Sequence, residues 1–336
     1  MSVSSCDGQN DGGQNDKEKC GKISAANQLQ MNRKSKVYSL IFMVFIILPH
    51  IVLPTCFHRQ RSTTVMPIEV ESEIRVFGRD EFHALAHQVL GIGFDIQNEF
   101  GRLLNESVYA TALRHRCSEI GILPAEQEVE IRLSHAGFVK HYFMDLLFAF
   151  GLMVETKAVE SLSNSHLAQT IHYLMLTGMK HGLLLNMRSE RVTHQFVSTT
   201  LTLAERRQFT VHEADWKPIN EASRWLKDTV IEILADWGAF LEISVYREAV
   251  IYFLGGADTA LQKIPIFDGN RVIGVEDVCL ICEDTALAFT AKTDDQRKMR
   301  DHLQRLLDHT RLACIQWVNF NRRDITFETL LQANRD

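Results

Sequence analysis

The sequence predicts an α/β protein made of two tandem copies of one unit. Each copy is ordered helix, three-strand meander, helix, strand, with a mixed sheet flanked by helices. Three observations lead there. Short apolar runs of strand length, such as Tyr142–Phe148 and Gly182–Asn186, are interleaved with longer stretches of helical periodicity. A helix joins two of these strands, which makes that pair parallel through a right-handed crossover. The stretch from Gly101 to Leu113 also returns 137 residues later, from Gly238 to Val250, with Gly, Leu, Ser, Val, Tyr and Ala coinciding.

The elements follow in order. Asp80 caps a helix with Glu81 in its first turn, and Phe82, Leu85, Leu90, Ile92, Ile96 and Phe100 form its apolar stripe. Gly101 breaks it. A second helix carries Glu106, Val108, Tyr109, Ala112 and Leu113. Val129–Leu133 alternates as a half-exposed strand. Two apolar strands then turn at Ala149-Phe-Gly151, and a helix runs from Asn164 to Thr177, stopped by Gly178. Gly182–Asn186 is a buried strand.

Composition bounds the function. With 336 residues, 46% apolar and 23% charged, the chain is globular and long enough for two domains. A net charge of −6 provides no overall basic field for nucleic acid. Arg114-His-Arg116, Arg188 with Arg191, and Arg206-Arg207 read as solvated basic spots. Seven irregularly spaced cysteines indicate reduced thiols. Cys279-Leu-Ile-Cys282 lacks a second pair and reads as buried strand thiols.

Residues 1–65 stand apart. Residues 1–36 have the composition of a disordered tract. Residues 37–57 are almost uncharged and near the length that spans a bilayer, although Pro49 and Pro54 weaken a continuous helix. Two readings fit: a membrane anchor, giving a single-pass protein, or an upstream extension ahead of a start at Met66, giving a cytoplasmic one. We favour the second.

The charged residues that matter lie in the apolar hairpin His141–Lys157. Glu155 and Lys157 share a strand face. If the hairpin folds symmetrically about Phe150, Asp145 stands opposite Glu155, with Cβ atoms about 5 Å apart. Two carboxylates in an apolar setting repel, and each costs several kcal/mol to desolvate. A divalent cation relieves both problems, because Mg²⁺ takes hard oxygen ligands and keeps several waters. A structural ion pair of Lys157 with either carboxylate is the alternative.

Taken together, Glu106-Ser-Val-Tyr109, Tyr142-Phe-Met-Asp145, Val154-Glu-Thr-Lys157, His166-Leu-Ala-Gln169 with Tyr173, and Gly182–Asn186 resemble the GxxExxY proteins of the PD-(D/E)XK nuclease superfamily over about residues 80–200. One departure is that the glycine of the family's name falls at Leu103. The resemblance implies Mg²⁺- or Mn²⁺-dependent hydrolysis of phosphodiester bonds in nucleic acid, DNA in preference to RNA. It implies Asp145 and Glu155 as metal ligands and Glu106 as a further acid near the metal. It implies that Lys157 positions the attacking water or stabilises the pentacovalent phosphate. Gln169 and Tyr173 resemble the Q-x-x-x-Y motif of exonuclease-like members and would contact substrate, with Gln169 assisting catalysis. A catalytically inactive nucleic-acid- or protein-binding module of the same fold is the alternative.

The expected division is a nuclease-like domain over 66–205, a linker over 206–219 and a degenerate second copy over 220–336. In that copy Glu106 aligns with Ile243 and Asp277 can match Asp145. Glu155 and Lys157 fall on Phe289 and Ala291 or, shifted by one, on Thr290 and Lys292. Neither choice restores the glutamate, so the second copy reads as a pseudonuclease packed on the first as an intramolecular pseudo-dimer. A membrane is a partner only if 37–57 is translated.

Overall fold

The runs too apolar for a surface are buried. Every residue of Leu152–Lys157 is buried, and every residue of His181–Asn186 except the first. Strands covered on both faces belong at the centre of a sheet. The computed structural model describes residues 66–332, so the tract 1–36 and the apolar run 37–57 lie outside the described residues. Among those described, no helix is long and apolar enough to cross a membrane.

The first half contains β1 (Ile68–Val70), α1 (Arg79–Phe100), α2 (Glu106–Glu119), β2 (Ala125–His135), β3 (Phe138–Phe148), β4 (Leu152–Lys157), α3 (Asn164–Thr177), β5 (His181–Asn186) and β6 (Thr193–Ser198). The strands lie side by side in chain order. β4 and β5 are parallel and every other pair is antiparallel, so the crossover through α3 is present. Helices α1 and α2 cover one face, packing Phe82, Ala86 and Leu113 with Leu146, Val154 and Leu183. The cap of α1 is Gly78, not Asp80, which lies inside the first turn.

The second half contains α4 (Leu203–Arg206), β7 (Thr210–Asp215), α5 (Glu221–Trp237), α6 (Ile243–Phe253), α7 (Ala257–Ala260), β8 (Leu261–Asp268), β9 (Arg271–Cys282), β10 (Thr285–Thr290), α8 (Gln296–Asp308), β11 (Cys314–Asn321) and β12 (Asp324–Leu331). Strands β8 to β12 repeat β2 to β6 in order and in sense, with β10 and β11 as the parallel pair. The halves differ in their sixth strand. β1 adds antiparallel to β2, whereas β7 adds parallel to β12. The stretch 206–219, read as a linker, supplies β7. Its residues are mostly exposed and polar, so no apolar alternation announced it.

The repeated Gly-to-Tyr motif is a clasp. The Tyr109 hydroxyl donates to Gly101 O (2.8 Å) and accepts from Leu104 N–H (3.1 Å). Tyr246 does the same with Gly238 O (2.6 Å) and Leu241 N–H (3.3 Å). Each glycine ends a helix at left-handed φ, 72° and 74°, where backbone groups need new partners.

The halves meet in one direction. The β2–β3 turn and α3 of the first pack on α5 and α6 of the second. Trp237 Nε1 donates to Ser134 O (2.8 Å), Lys140 pairs with Glu248 (2.6 Å), and Phe138 lies against the rings of Trp237 and Tyr252. Arg206, fully buried, donates to Trp237 O (2.6 Å) and Met175 O (2.9 Å). His172, also buried, accepts from Glu242 N–H (3.3 Å). Burial, reinforced by Arg206 and Lys140, pushes its pKa down from 6.5 to about 4.

Tyr246→Phe leaves two buried backbone groups without a partner, and it should cost about 1–3 kcal/mol in denaturant unfolding. The corresponding Tyr109→Phe should act in the same direction. The unfolded chain protonates His172 below about pH 6.5 and the folded chain only near 4. In that window the unfolded state binds the extra proton, so stability falls as pH falls, by up to about 3 kcal/mol. Unfolding measured across the window should show a shallower acid loss for His172→Asn than for the natural chain.

Candidate functional site

The hairpin of β3 and β4 folds about Phe150. Ala149 and Phe150 both take left-handed φ (49° and 60°), as a tight turn matched to strand twist requires. Gly151 follows where a Cβ would meet the Phe77 ring at 2.2 Å. The ladder pairs Phe148 with Leu152, Leu147 with Met153 and Leu146 with Val154. One rung further would pair Asp145 with Glu155, and there side chains replace the backbone. The Asp145 N–H donates to Glu155 Oε1 (3.3 Å). Asp145 Oδ2 accepts from the Thr156 N–H (2.8 Å) and Thr156 Oγ1 (3.0 Å). On the other side Glu128, which would face Asp145, also drops out of the β2–β3 ladder and takes φ 55°. Thus β3 parts from both neighbours at Asp145, and the gap admits side chains.

Lys157 Nζ fills the meeting point. It lies 3.3 Å from Glu106 Oε1, 3.6 Å from Asp145 Oδ2 and 3.6 Å from Glu155 Oε2. Glu106 is the first residue of α2, which the Tyr109 clasp fixes against the end of α1. The four residues expected to converge therefore do so. Gln169 and Tyr173 lie apart from them on α3: Gln169 Nε2 donates to the Tyr173 hydroxyl (3.2 Å), and no hydrogen bond joins either side chain to the four. Burial raises the Tyr173 pKa, the Gln169 bond opposes that, and the charges of Glu155 and Asp145 raise it further. Tyr173 is thus within electrostatic reach of the cluster.

Glu155 has no exposed surface. Burial, then the neighbouring Asp145, pushes its carboxyl up to about 8, against the pull of Lys157. Its Oε2 is buried without a hydrogen-bond donor. For Lys157, burial disfavours the ammonium, but Asp145, Glu155 and Glu106 outweigh it and raise the pKa. Three carboxylates face one ammonium, and one buried hard oxygen lacks a donor. That donor chemistry fits a cation of the Mg²⁺ type, which takes one or two carboxylates and keeps its waters. Among the described residues no three His, Cys, Asp or Glu side chains lie close enough to enclose a metal by themselves. The remaining positions would open into a cleft of about 590 Å³ lined by Asn105, Glu106, Gln127, Glu128, Asp145 and Thr156.

Sequence reasoning missed Glu128, Thr156 and Asn186. Asn186 pairs with Lys157 in the β4–β5 ladder. Its side chain closes on the Val159 backbone, accepting from N–H (3.1 Å) and donating to O (2.8 Å). Asn319 latches the Lys292 backbone in the same way (2.8 and 3.0 Å), opposite Thr290. The strands of the two halves therefore align at a constant 133 residues, Asn186 to Asn319, a spacing the sequence already contained.

This alignment corrects the expected counterparts. Asp145 corresponds to Val278, one residue beyond Asp277, which is exposed on β9. Glu155 and Lys157 correspond to Ala288 and Thr290, not to Phe289 and Ala291 or to Thr290 and Lys292. The helical offset of 137 shrinks to 133 between α6 and β8, which displaced the sequence alignment. Ile243 does stand where Glu106 stands, as the first residue of α6. None of the four charges survives in the second half.

Residues 83–197 match a family model described as the PD-(D/E)XK nuclease superfamily. None of the curated proteins matches the chain. Three chains among the solved structures match. One is the crystal structure of SSO0001, 18% identical, with a TM-score of 0.22; the match covers 32% of this chain and 62% of that one, less than two thirds of its length.

Proposed function

We propose that the domain containing residues 83–197, which match the PD-(D/E)XK nuclease superfamily model, hydrolyses phosphodiester bonds in nucleic acid, DNA in preference to RNA, with Mg²⁺ or Mn²⁺. The observation that carries this reading is the convergence of Glu106, Asp145 and Glu155, from three different elements, on Lys157 Nζ. Asp145 and Glu155 would hold the ion, with Glu106 at its rim. Bound there, a divalent cation supplies Lewis-acid stabilisation of the charge that develops on the phosphoryl oxygens.

The chain's own residues do the rest. The Thr156 N–H and hydroxyl fix the Asp145 carboxylate, so its donor direction is set before any ligand arrives. Lys157, whose pKa Asp145, Glu155 and Glu106 raise, stays protonated, and its ammonium would orient a water or a phosphate oxygen at the cleft floor. Half-buried Gln169, backed by the buried Tyr173, would line the approach on α3. The second half, lacking all four charges, would serve as a pseudonuclease that supports the first.

One observation favours a second reading. Lys157 already lies within salt-bridge distance of all three carboxylates, so the cluster can persist as a buried ion network in a binding module without catalysis.

Two measurements separate the readings. Glu155→Gln and Lys157→Ala should each lower Mn²⁺-dependent cleavage of a DNA panel by about 10²-fold or more while the protein stays folded. Full cleavage by folded Glu155→Gln would remove the mechanism. Mg²⁺ or Mn²⁺ at a hundredfold over its dissociation constant should stabilise the natural chain by about 2.7 kcal/mol. Asp145→Asn should abolish that gain, and a binding module would show neither effect.

A further inference from the structure

Asp145 has an aromatic ring beside it that the proposed chemistry leaves unused. Between the β2–β3 turn and Asp145, the side chains of β3 alternate between two faces. Phe138, Tyr142 and Met144 face the second half and pack into the cluster shared by both sheets. Val139, His141 and Phe143 therefore point the other way, to the side on which Asp145 enters the cleft. The cluster under α1 and α2 takes Leu146 and Phe148 from β3 and stops short of Phe143. Phe143 is consequently 50% exposed, two residues of strand, or about 7 Å, from Asp145. Glu130, opposite Phe143 in the ladder, is bonded to His141, and Glu69 is paired with Arg132. The arm is fixed from behind, because Lys140 pairs with Glu248 and Phe138 lies against Trp237 and Tyr252. The second half supplies an internal comparison. At the strand offset of 133, Phe143 corresponds to Glu276. The half without the four charges thus also lacks the ring, and it carries there an exposed acid that repels phosphate. The fold itself does not require an aromatic residue at this position.

We propose that Phe143 is a base-stacking platform. It holds an unpaired nucleobase beside the phosphate at Asp145, and so selects single-stranded nucleic acid, or an unpaired end or flap, over duplex. A ring stacks on the flat face of any base, whatever its sequence. In a duplex those faces are occupied by the neighbouring base pairs, so a paired base has none to offer. Only a strand with an unstacked base can lay it on Phe143 while its phosphate reaches Asp145. Because the arm is already fixed by the second half, no ordering of the ring opposes binding. The inference rests on nucleic acid entering this cleft, as the proposed function has it, and does not require that it be cleaved.

The native tryptophans, Trp216, Trp225, Trp237 and Trp317, all lie in the second half, so Phe143→Trp puts a reporter into a half that has none. Titration of the full chain carrying Phe143→Trp with oligothymidylate, with Mg²⁺ and in chelator, should quench the new emission in at least one of the two. A blunt duplex of the same length should not, and the natural chain is the control for the native rings. Phe143→Ala should weaken binding of the oligothymidylate about 5- to 150-fold with an unchanged melting temperature and unchanged duplex binding. Phe143→Tyr should restore it, whereas Phe143→Leu, which keeps apolar bulk without a π face, should not. Absence of quenching in both conditions overturns the proposal, and so does single-strand binding that survives Phe143→Ala or Phe143→Leu. The two readings fail separately. Quenching without cleavage of any substrate removes the nuclease and leaves the platform. Cleavage of single strands by Phe143→Ala at the natural KM removes the platform and leaves the nuclease.

Discussion

The burial of Glu155 constrains everything around it. A carboxylate without exposed surface is unfavourable by several kcal/mol unless its charge is compensated. Lys157 compensates it from two residues along the same strand, and the stem of Lys157 is itself buried. One ammonium serves three acids, so buried Glu155 keeps its proton up to about pH 8, and Asp145 and Glu106 stay at the cleft, where water reaches them. The departure of β3 from both neighbours follows from the same constraint. Were Asp145 kept in a regular ladder, its carboxylate could not turn onto Thr156, and Glu155 Oε1 would lose the Asp145 N–H. Glu128 at left-handed φ marks the strain stored on the far side of that gap.

The second half shows the same scaffold with the constraint removed. Val278, Ala288 and Thr290 occupy the three hairpin positions, and nothing there must stay charged. Thr290 donates to Asn319 and accepts from Trp317 Nε1 (2.8 Å), so neutral hydrogen bonds close the space that Lys157 holds in the first half. The backbone devices persist: the tyrosine clasp, the glycine at each helix end and the asparagine latch. These devices stabilise the fold irrespective of chemistry, whereas the four charges are unfavourable to bury and are kept only where something uses them.

Much of this was legible in the sequence, and the reasons are specific. Leu152–Lys157 is wholly apolar apart from Glu155, Thr156 and Lys157, so its burial and its exceptions both stood out. The symmetric turn placed Asp145 by counting alone. Gly178 after an apolar helix marked the crossover. What escaped notice was polar and local. β7 is exposed and short and has no apolar period. Thr156 points to the opposite face from the residues on either side of it, so a face-based reading passed over it, although its backbone and hydroxyl both hold Asp145. The counterparts in the second half were misplaced because the helices repeat at 137 residues and the strands at 133. A single offset cannot describe both, and only the paired asparagines reveal the change.

The retention of a half without charges has a packing explanation. The face of the first sheet opposite α1 and α2 carries Val129, Ile131, Leu133, Met144 and Leu147. Helix α3 alone does not cover it. One apolar cluster runs from these residues through Trp237 and Tyr246 to Phe320 and Phe327 of the second sheet. Helices α5 and α6 therefore serve two sheets at once, and Arg206 bonds across the join to both Met175 and Trp237. Removing the second half would leave the strand that carries Met144, next to Asp145, bare to solvent. The geometry at Asp145 thus depends on a domain that contributes no atom to the site, and selection on the site would preserve that domain's core while leaving its hairpin residues free to change.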